Sequence, residues 1–357
     1  MTPIFPLNHR DRLIRAMTTT LSLVSLAAAQ GCVGKPAAEW ATQPDAQCPI
    51  TQSQQSGSMR IGYLGSPGPD LYVYGARLAE ACFPNADVQW VRYPTGQDMV
   101  QAFASGSLDL GTMGSTPTAK AISGPLNVSL VVPGVSYQIG DAEALVAKKA
   151  TTLEGLRGSK IAVPFSSTSH YSLLKALINA GLDPQRDVHI VNVSPDKIPA
   201  AWKSEDIDAA FVWSPALSEI TPGNHVLCTA KNVAEQGSPT FNITAADKQW
   251  AADHGELLSG WMALQRWAEK QSQSNHSDYI NVNSSAAQMQ PDQVNADIAG
   301  QVYLPVSNSD ISRDQLATAL HDTAQFLKQQ GEVETVYEPA HYQQLVMNQR
   351  EEGNKEG

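Results

Sequence analysis

From Met59 onward, short apolar runs alternate with amphipathic stretches along the chain. Met59 to Leu64 reads as a strand, followed by a Gly/Pro turn (Gly65-Ser66-Pro67-Gly68-Pro69) and a helix over Leu71 to Cys82. Val88 to Tyr93 reads as a second strand, and Asp98 to Ser105 as a helix stopped by Gly106. A third strand over Leu108 to Met113, a helix over Thr116 to Ile122 and a fourth strand over Val128 to Pro133 complete one unit. A further strand, Ala144 to Lys148, leads into a repeat of the pattern. It runs through strand Lys160–Pro164, helix His170–Ala180, strand Val188–Val193, helix Ile198–Lys203, strand Ala209–Trp213 and a short helix Pro215–Ile220. This alternation predicts parallel, doubly wound sheets. Beyond Thr240 the pattern turns mainly helical, with Gln249–Lys270 and Ile311–Gln330 flanking a polar stretch that reaches about residue 295. The expectation is an α/β chain of two Rossmann-like lobes. Residues 59–143 and 240–346 form the first lobe, 144–239 an inserted second lobe, and 347–357 a flexible tail.

The start of the chain follows a different pattern. His9, Arg10, Arg12 and Arg15 precede an apolar stretch, Ala16 to Ala29, of signal-peptide length and too short to span a bilayer. Two processing routes fit residues 1–31 as a signal peptide. Ala27-Ala28-Ala29 is an A-x-A site cut before Gln30, whereas Ala29-Gln30-Gly31-Cys32 resembles a lipobox that would place a lipid on Cys32, although the usual leading Leu is missing. Residues 32–58, rich in Ala, Gln, Pro and Ser, read as a tether. The protein is therefore expected in the periplasm or another extracytoplasmic space, with Cys32 as the candidate lipid anchor.

Composition narrows the function further. The chain carries 24 Lys and Arg against 35 Asp and Glu, a net charge of −11 that argues against nucleic acid as a partner. Cys32, Cys48, Cys82 and Cys228 include no C-x-x-C pair, and the histidines suggest no metal site, so neither metal nor other cofactor is expected. Export would permit a disulfide, Cys48–Cys82 being the favoured pairing; the alternative is a simply buried Cys82.

The candidate chemistry lies at strand-to-helix turns. Between Val163 and Leu174 a strand ends, Ser166, Ser167, Thr168 and Ser169 supply hydroxyls, and a helix begins. Such a turn offers free N–H groups and the positive end of the helix dipole to an anion. Gly114-Ser115-Thr116-Pro117 repeats the device, so two turns, one per lobe, would close on one anion; the alternative is ordinary capping. Trp213, at a strand end, would cover an organic body or else belong to the core. Glu143, beside the first crossing between lobes, would hold an amine or else be a solvated surface acid. His170 beside a cap is more often structural. No nucleophile elbow, H-E-x-x-H or P-loop occurs, so no catalytic residue is expected.

From Met59 to Val346 these residues resemble the taurine and aliphatic-sulfonate binding proteins of ABC importers. The most specific pieces are Ala104-Ser105-Gly106 to Pro117, Glu143-Ala144-Leu145-Val146, Gly158 to Leu173, Asp206 to Ala216 and Asp322 to Lys328. The resemblance implies a type II periplasmic-binding-protein fold with a two-crossing hinge, a small organic anion in the cleft, and docking of a monomer on a membrane permease. Ser115, Thr116, Ser167, Thr168 and Ser169 would hold the anion, Trp213 its body and Glu143 any amine. Tyr63, Ser66, Gly114, His170, Tyr171 and Asn242 complete the expected ligand wall. Two departures remove negative charge: Gly68 stands where the taurine-type pattern has an acid, and Thr240-Phe241-Asn242 replaces Thr-Leu-Asp. They predict a weakened amine end and a different alkyl sulfonate as ligand. The alternatives are nitrate, bicarbonate or another small anion, an enzyme of the thiamine-pyrimidine-precursor type, and a sensor that binds no permease.

Overall fold

The computed structural model describes residues 46–303 and 313–347. The signal peptide, Cys32, the first part of the tether, the start of the helix expected from Ile311 and residues 348–357 of the tail lie outside them. Strands β1 (Gly57–Tyr63), β2 (Ala86–Arg92), β3 (Leu110–Gly114) and β4 (Leu130–Gln138) form within a few residues of their predicted places. Chain reversals explain two differences. Thr95 and Asp98 make a capping box, so the following helix starts at Gly96. The helix expected over Leu71 to Cys82 breaks into Pro69–Gly75 and Leu78–Cys82, because Arg77 takes a left-handed φ of 55°.

After β4 the chain crosses to a second sheet of β5 (Glu143–Ala147), β6 (Lys160–Val163), β7 (His189–Asn192), β8 (Ala209–Trp213) and β9 (His225–Thr229). It then returns as β10 (Phe241–Asp247). The strand orders are β2-β1-β3-β10-β4 and β7-β6-β8-β5-β9. The sheets are mixed, which corrects the expectation of purely parallel ones: β10 runs antiparallel to β3 and β4, and β5 antiparallel to β8 and β9. The cause is the route of the chain. It leaves the first sheet at the carboxyl end of β4 and enters the second at that sheet's carboxyl edge, so the first strand there runs backwards. The return crossing repeats the situation for β10. The crossings are fastened together, Ile139 N–H donating to Thr240 O at 2.8 Å.

Both faces of the second sheet are covered, with Leu145, Phe211 and Leu173 on one side and Val146, Val212 and Ile198 on the other. That is why β5 and β8 are buried at every position rather than alternately. In the first lobe the polar stretch before residue 295 is ordered as helices, His276–Ala287 and Pro291–Gly300. The expected tether is likewise anchored from residue 46 onward. Cys48 and Cys82 form a disulfide with Cα atoms 4.8 Å apart, Ser53 N–H donates to Cys82 O, and Gln55 Oε1 caps the helix start at Glu256 and Leu257.

Candidate functional site

The carboxyl edges of the two sheets face each other across a cleft of about 520 Å³, including its open mouth. On the first lobe the edge reads Ser66 after β1, Gly114 at the end of β3, Asn242 at the start of β10 and Tyr137 near the end of β4. Asn242 pairs in register with both Gly114 and Tyr137. On the second lobe it reads Thr168 after β6, Trp213 at the end of β8 and Glu143 at the start of β5, with Glu143 and Trp213 paired in register. Leu64, Gly96, Pro117, Ile139, Ala142, Ser167 and Asp297 complete the lining. Crevices at carboxyl edges are where open α/β sheets hold ligands. The lobes meet at Gly114, where a Cβ would lie 2.6 Å from Thr168 Cγ2. Any side chain there would hold the lobes apart.

Two carboxylates dominate the electrostatics. Glu143 is 5% exposed; its Oε1 accepts from Thr168 Oγ1 at 2.6 Å and its Oε2 from Ser169 Oγ at 2.9 Å. Burial pushes its pKa up to about 7 against those two hydrogen bonds, and the charge of Asp297 adds to the rise. Asp297 is 7% exposed, accepts from Gln301 Nε2 at 3.0 Å, and is likewise raised by burial to about 7. Asp70, close to Gly68, is raised by burial to about 6. All three bind protons more tightly folded than unfolded. Their contribution to the stability of the empty protein is present at low pH and lost as pH rises through about 6 to 7. Among the described residues that line the cleft, none is Lys, Arg or His. Neutral donors face it instead. Tyr137 OH accepts from Asn242 Nδ2 at 2.8 Å, and the first turn of the Thr168–Asn179 helix carries N–H groups that helices leave unpaired.

Of the residues expected at the ligand, Ser66, Gly114, Glu143, Ser167, Thr168, Trp213 and Asn242 line the cleft; six others do not. Ser115 Oγ accepts from Phe241 N at 3.1 Å and fastens the start of β10. Thr116 is fully buried. Ser169 stands behind Glu143. His170 Nδ1 lies 3.2 Å from Glu332 Oε1, and its ring stacks on Phe165. Tyr171 packs edge-on against Phe326, and Tyr63 stacks on Tyr74. The expectation of free hydroxyls is also revised. Ser167 Oγ donates to Pro164 O and accepts from His170 N, while Thr168 and Ser169 spend their protons on Glu143. Asp297 and Tyr137 are functional candidates absent from the sequence expectation.

Two mixed α/β lobes meeting at their carboxyl edges over a cleft have the architecture of periplasmic binding proteins. The alkanesulfonate-binding protein SsuA of Xanthomonas axonopodis pv. citri, solved with MOPS bound, shares this fold. Its TM-score is 0.69 at 21% identity, over 83% of this chain and 99% of that one. The desulfurization enzyme DSZB has the same fold with a TM-score of 0.59 at 13% identity, over 80% of this chain and 96% of its own, so the architecture serves enzymes as well. In sequence, the taurine-binding periplasmic protein of Escherichia coli K12 is 35% identical over 295 residues, 80% of this chain and 91% of that protein. The NMT1-like family profile matches residues 85–283, and the chain belongs to that family. That Escherichia coli relative is named as a binding protein of the periplasm. Among the described residues, no helix is long and apolar enough to cross a membrane.

Proposed function

We propose that this protein is the substrate-binding component of an ABC importer and captures taurine or a closely related aminoalkanesulfonate in the cleft. The observation that carries the reading is a pair of buried carboxylates, Glu143 and Asp297, in a cleft whose lining, among the described residues, includes no cationic side chain. Buried carboxylates call for a positive partner, and a ligand ammonium supplies it. Asp297 provides the charge that Gly68 and Asn242 lack, so the expectation of a weakened amine end gives way to a strong one. The sulfonate faces the neutral donors: Ser66, the Asn242–Tyr137 pair and the N–H groups at the start of the Thr168 helix. Trp213 covers the carbon chain between the ends. The relative's name, taurine-binding periplasmic protein, supports the same ligand. In this reading the protein works outside the cytoplasmic membrane as a monomer and delivers its ligand to a permease. Its anchor is a lipid on Cys32, or none if cleavage falls before Gln30.

Titration calorimetry with taurine and with ethanesulfonate, which lacks the amine, tests the reading. Taurine binds at least about tenfold tighter, because a hydrogen bond to a charged group contributes about 1.5–3 kcal/mol. Its affinity rises between about pH 5 and 8, since the carboxylates must lose protons to take the ammonium; ethanesulfonate shows no such gain. Equal or tighter binding of ethanesulfonate removes the amine from the account.

A further inference from the structure

Glu143 and Asp297 reach the cleft from opposite lobes. Glu143 opens β5 of the second sheet. Asp297 sits on the Pro291–Gly300 helix, which the chain fastens to the first lobe: Gln301 Nε2 donates to Pro67 O at 2.8 Å, and Val302 bridges to Gln138. Ser214 of the second lobe lies close to Asp297, and its hydroxyl pairs with that of Ser218 at 2.9 Å. Among the described residues, Tyr137 and Tyr303 face Asp297, with Asp70 beside Tyr137, and none of these is cationic. The nearby basic side chains on the helices Ser115–Ala121 and Thr168–Asn179 are already engaged, Lys120 and His170 both meeting Glu332. Closing the lobes therefore brings two carboxylates into one dry site with no cationic side chain among the described residues of its lining to neutralise them, and opening separates and rehydrates them.

We infer that Glu143 and Asp297 form a charge gate between the lobes: their repulsion disfavours closure of the empty cleft, and a cationic group on the ligand permits closure by neutralising both. Selectivity for an amine is then exercised at the closing step as well as at contact. A sulfonate without an amine binds to the neutral donors but leaves the lobes apart. Protons substitute for the ammonium at low pH. The gate rests on the aminosulfonate reading only for the identity of its ligand, because its ligand-free behaviour follows from the two carboxylates alone.

Small-angle X-ray scattering of the full chain without ligand tests it, with wild type, Glu143→Gln and Asp297→Asn compared at about pH 5 and about pH 9. The wild type expands as pH rises, and each variant loses most of that expansion. A wild-type radius of gyration that does not change with pH overturns the gate, and this arm needs no variant to fold. Variants that are folded by circular dichroism and expand as much as the wild type overturn it too. In a second arm at about pH 8, saturating taurine compacts the wild type whereas saturating ethanesulfonate does not; equal compaction by both overturns the gate. If taurine fails to bind at all, the proposed ligand is wrong, and the ligand-free arm still decides the gate.

Discussion

Replacing Trp213 with Ala lowers affinity for the ligand about thirtyfold and also removes about 3 kcal/mol of stability from the empty protein. The double loss follows from where the ring sits. Trp213 ends β8 in register with Glu143 and lines the cleft, yet it is only 9% exposed. Its other contacts are the core of the second lobe, including Ile198, Val212, Leu217 and Ile220. The sequence leaves Trp213 as either a cover for the ligand or a core residue, and the structure gives it both places. Truncation opens a cavity continuous with the cleft, where water enters, so the cost falls at the lower end of the range for deleting a large aromatic. Thermal unfolding and calorimetry on Trp213→Ala and Trp213→Phe separate the two roles. The Phe variant recovers most of the stability and part of the affinity. An Ala variant as stable as wild type would mean that the ring packs against nothing but ligand.

Removing the Cys48–Cys82 disulfide costs about 4 kcal/mol, the loop-closure estimate for the sequence separation of 34 between its cysteines. The bridge holds the segment that precedes β1 against the first lobe, where Ile50 packs on the core and Gln55 caps the helix beginning at Gly255. Denaturant unfolding of Cys48→Ser against wild type, with and without reductant, measures the loss. Wild type in reductant should match the variant, and a variant indistinguishable from oxidised wild type would contradict the estimate. The free thiol of Cys228 does not enter the comparison: it is buried, and burial pushes it up to about 11.

Much of the fold was legible because eight of the ten strands carry apolar runs between turn residues. The two that escaped have physical reasons. β10 is Phe-Asn-Ile-Thr-Ala-Ala-Asp, small and polar residues that become buried only because the returning chain slots between β3 and β4. β9 is an edge strand with exposed His225 and Val226. Local sequence also carries no sign that β5 and β10 run backwards, since direction is set by where the crossings enter. At the site, the hydroxyl run at Ser167–Ser169 was visible, but its role was not. Whether a hydroxyl faces a ligand or an internal carboxylate depends on Glu143, 25 residues before Thr168 along the chain. Asp297 did leave a trace. It sits one turn from Val294 and beside Ile298, both buried, so it lies on the apolar face of its helix. An acid in that position marks a carboxylate turned toward the protein interior.

The claim on which the rest depends is that one zwitterion lies across the cleft, its cation between two carboxylates from opposite lobes and its anion on neutral donors. A crystal structure with taurine bound tests this directly. The account predicts the taurine nitrogen within hydrogen-bond distance of both Glu143 and Asp297, and the sulfonate against Ser66, Asn242 and the start of the Thr168 helix. A nitrogen that touches neither carboxylate, or a sulfonate seated outside the cleft, would contradict it.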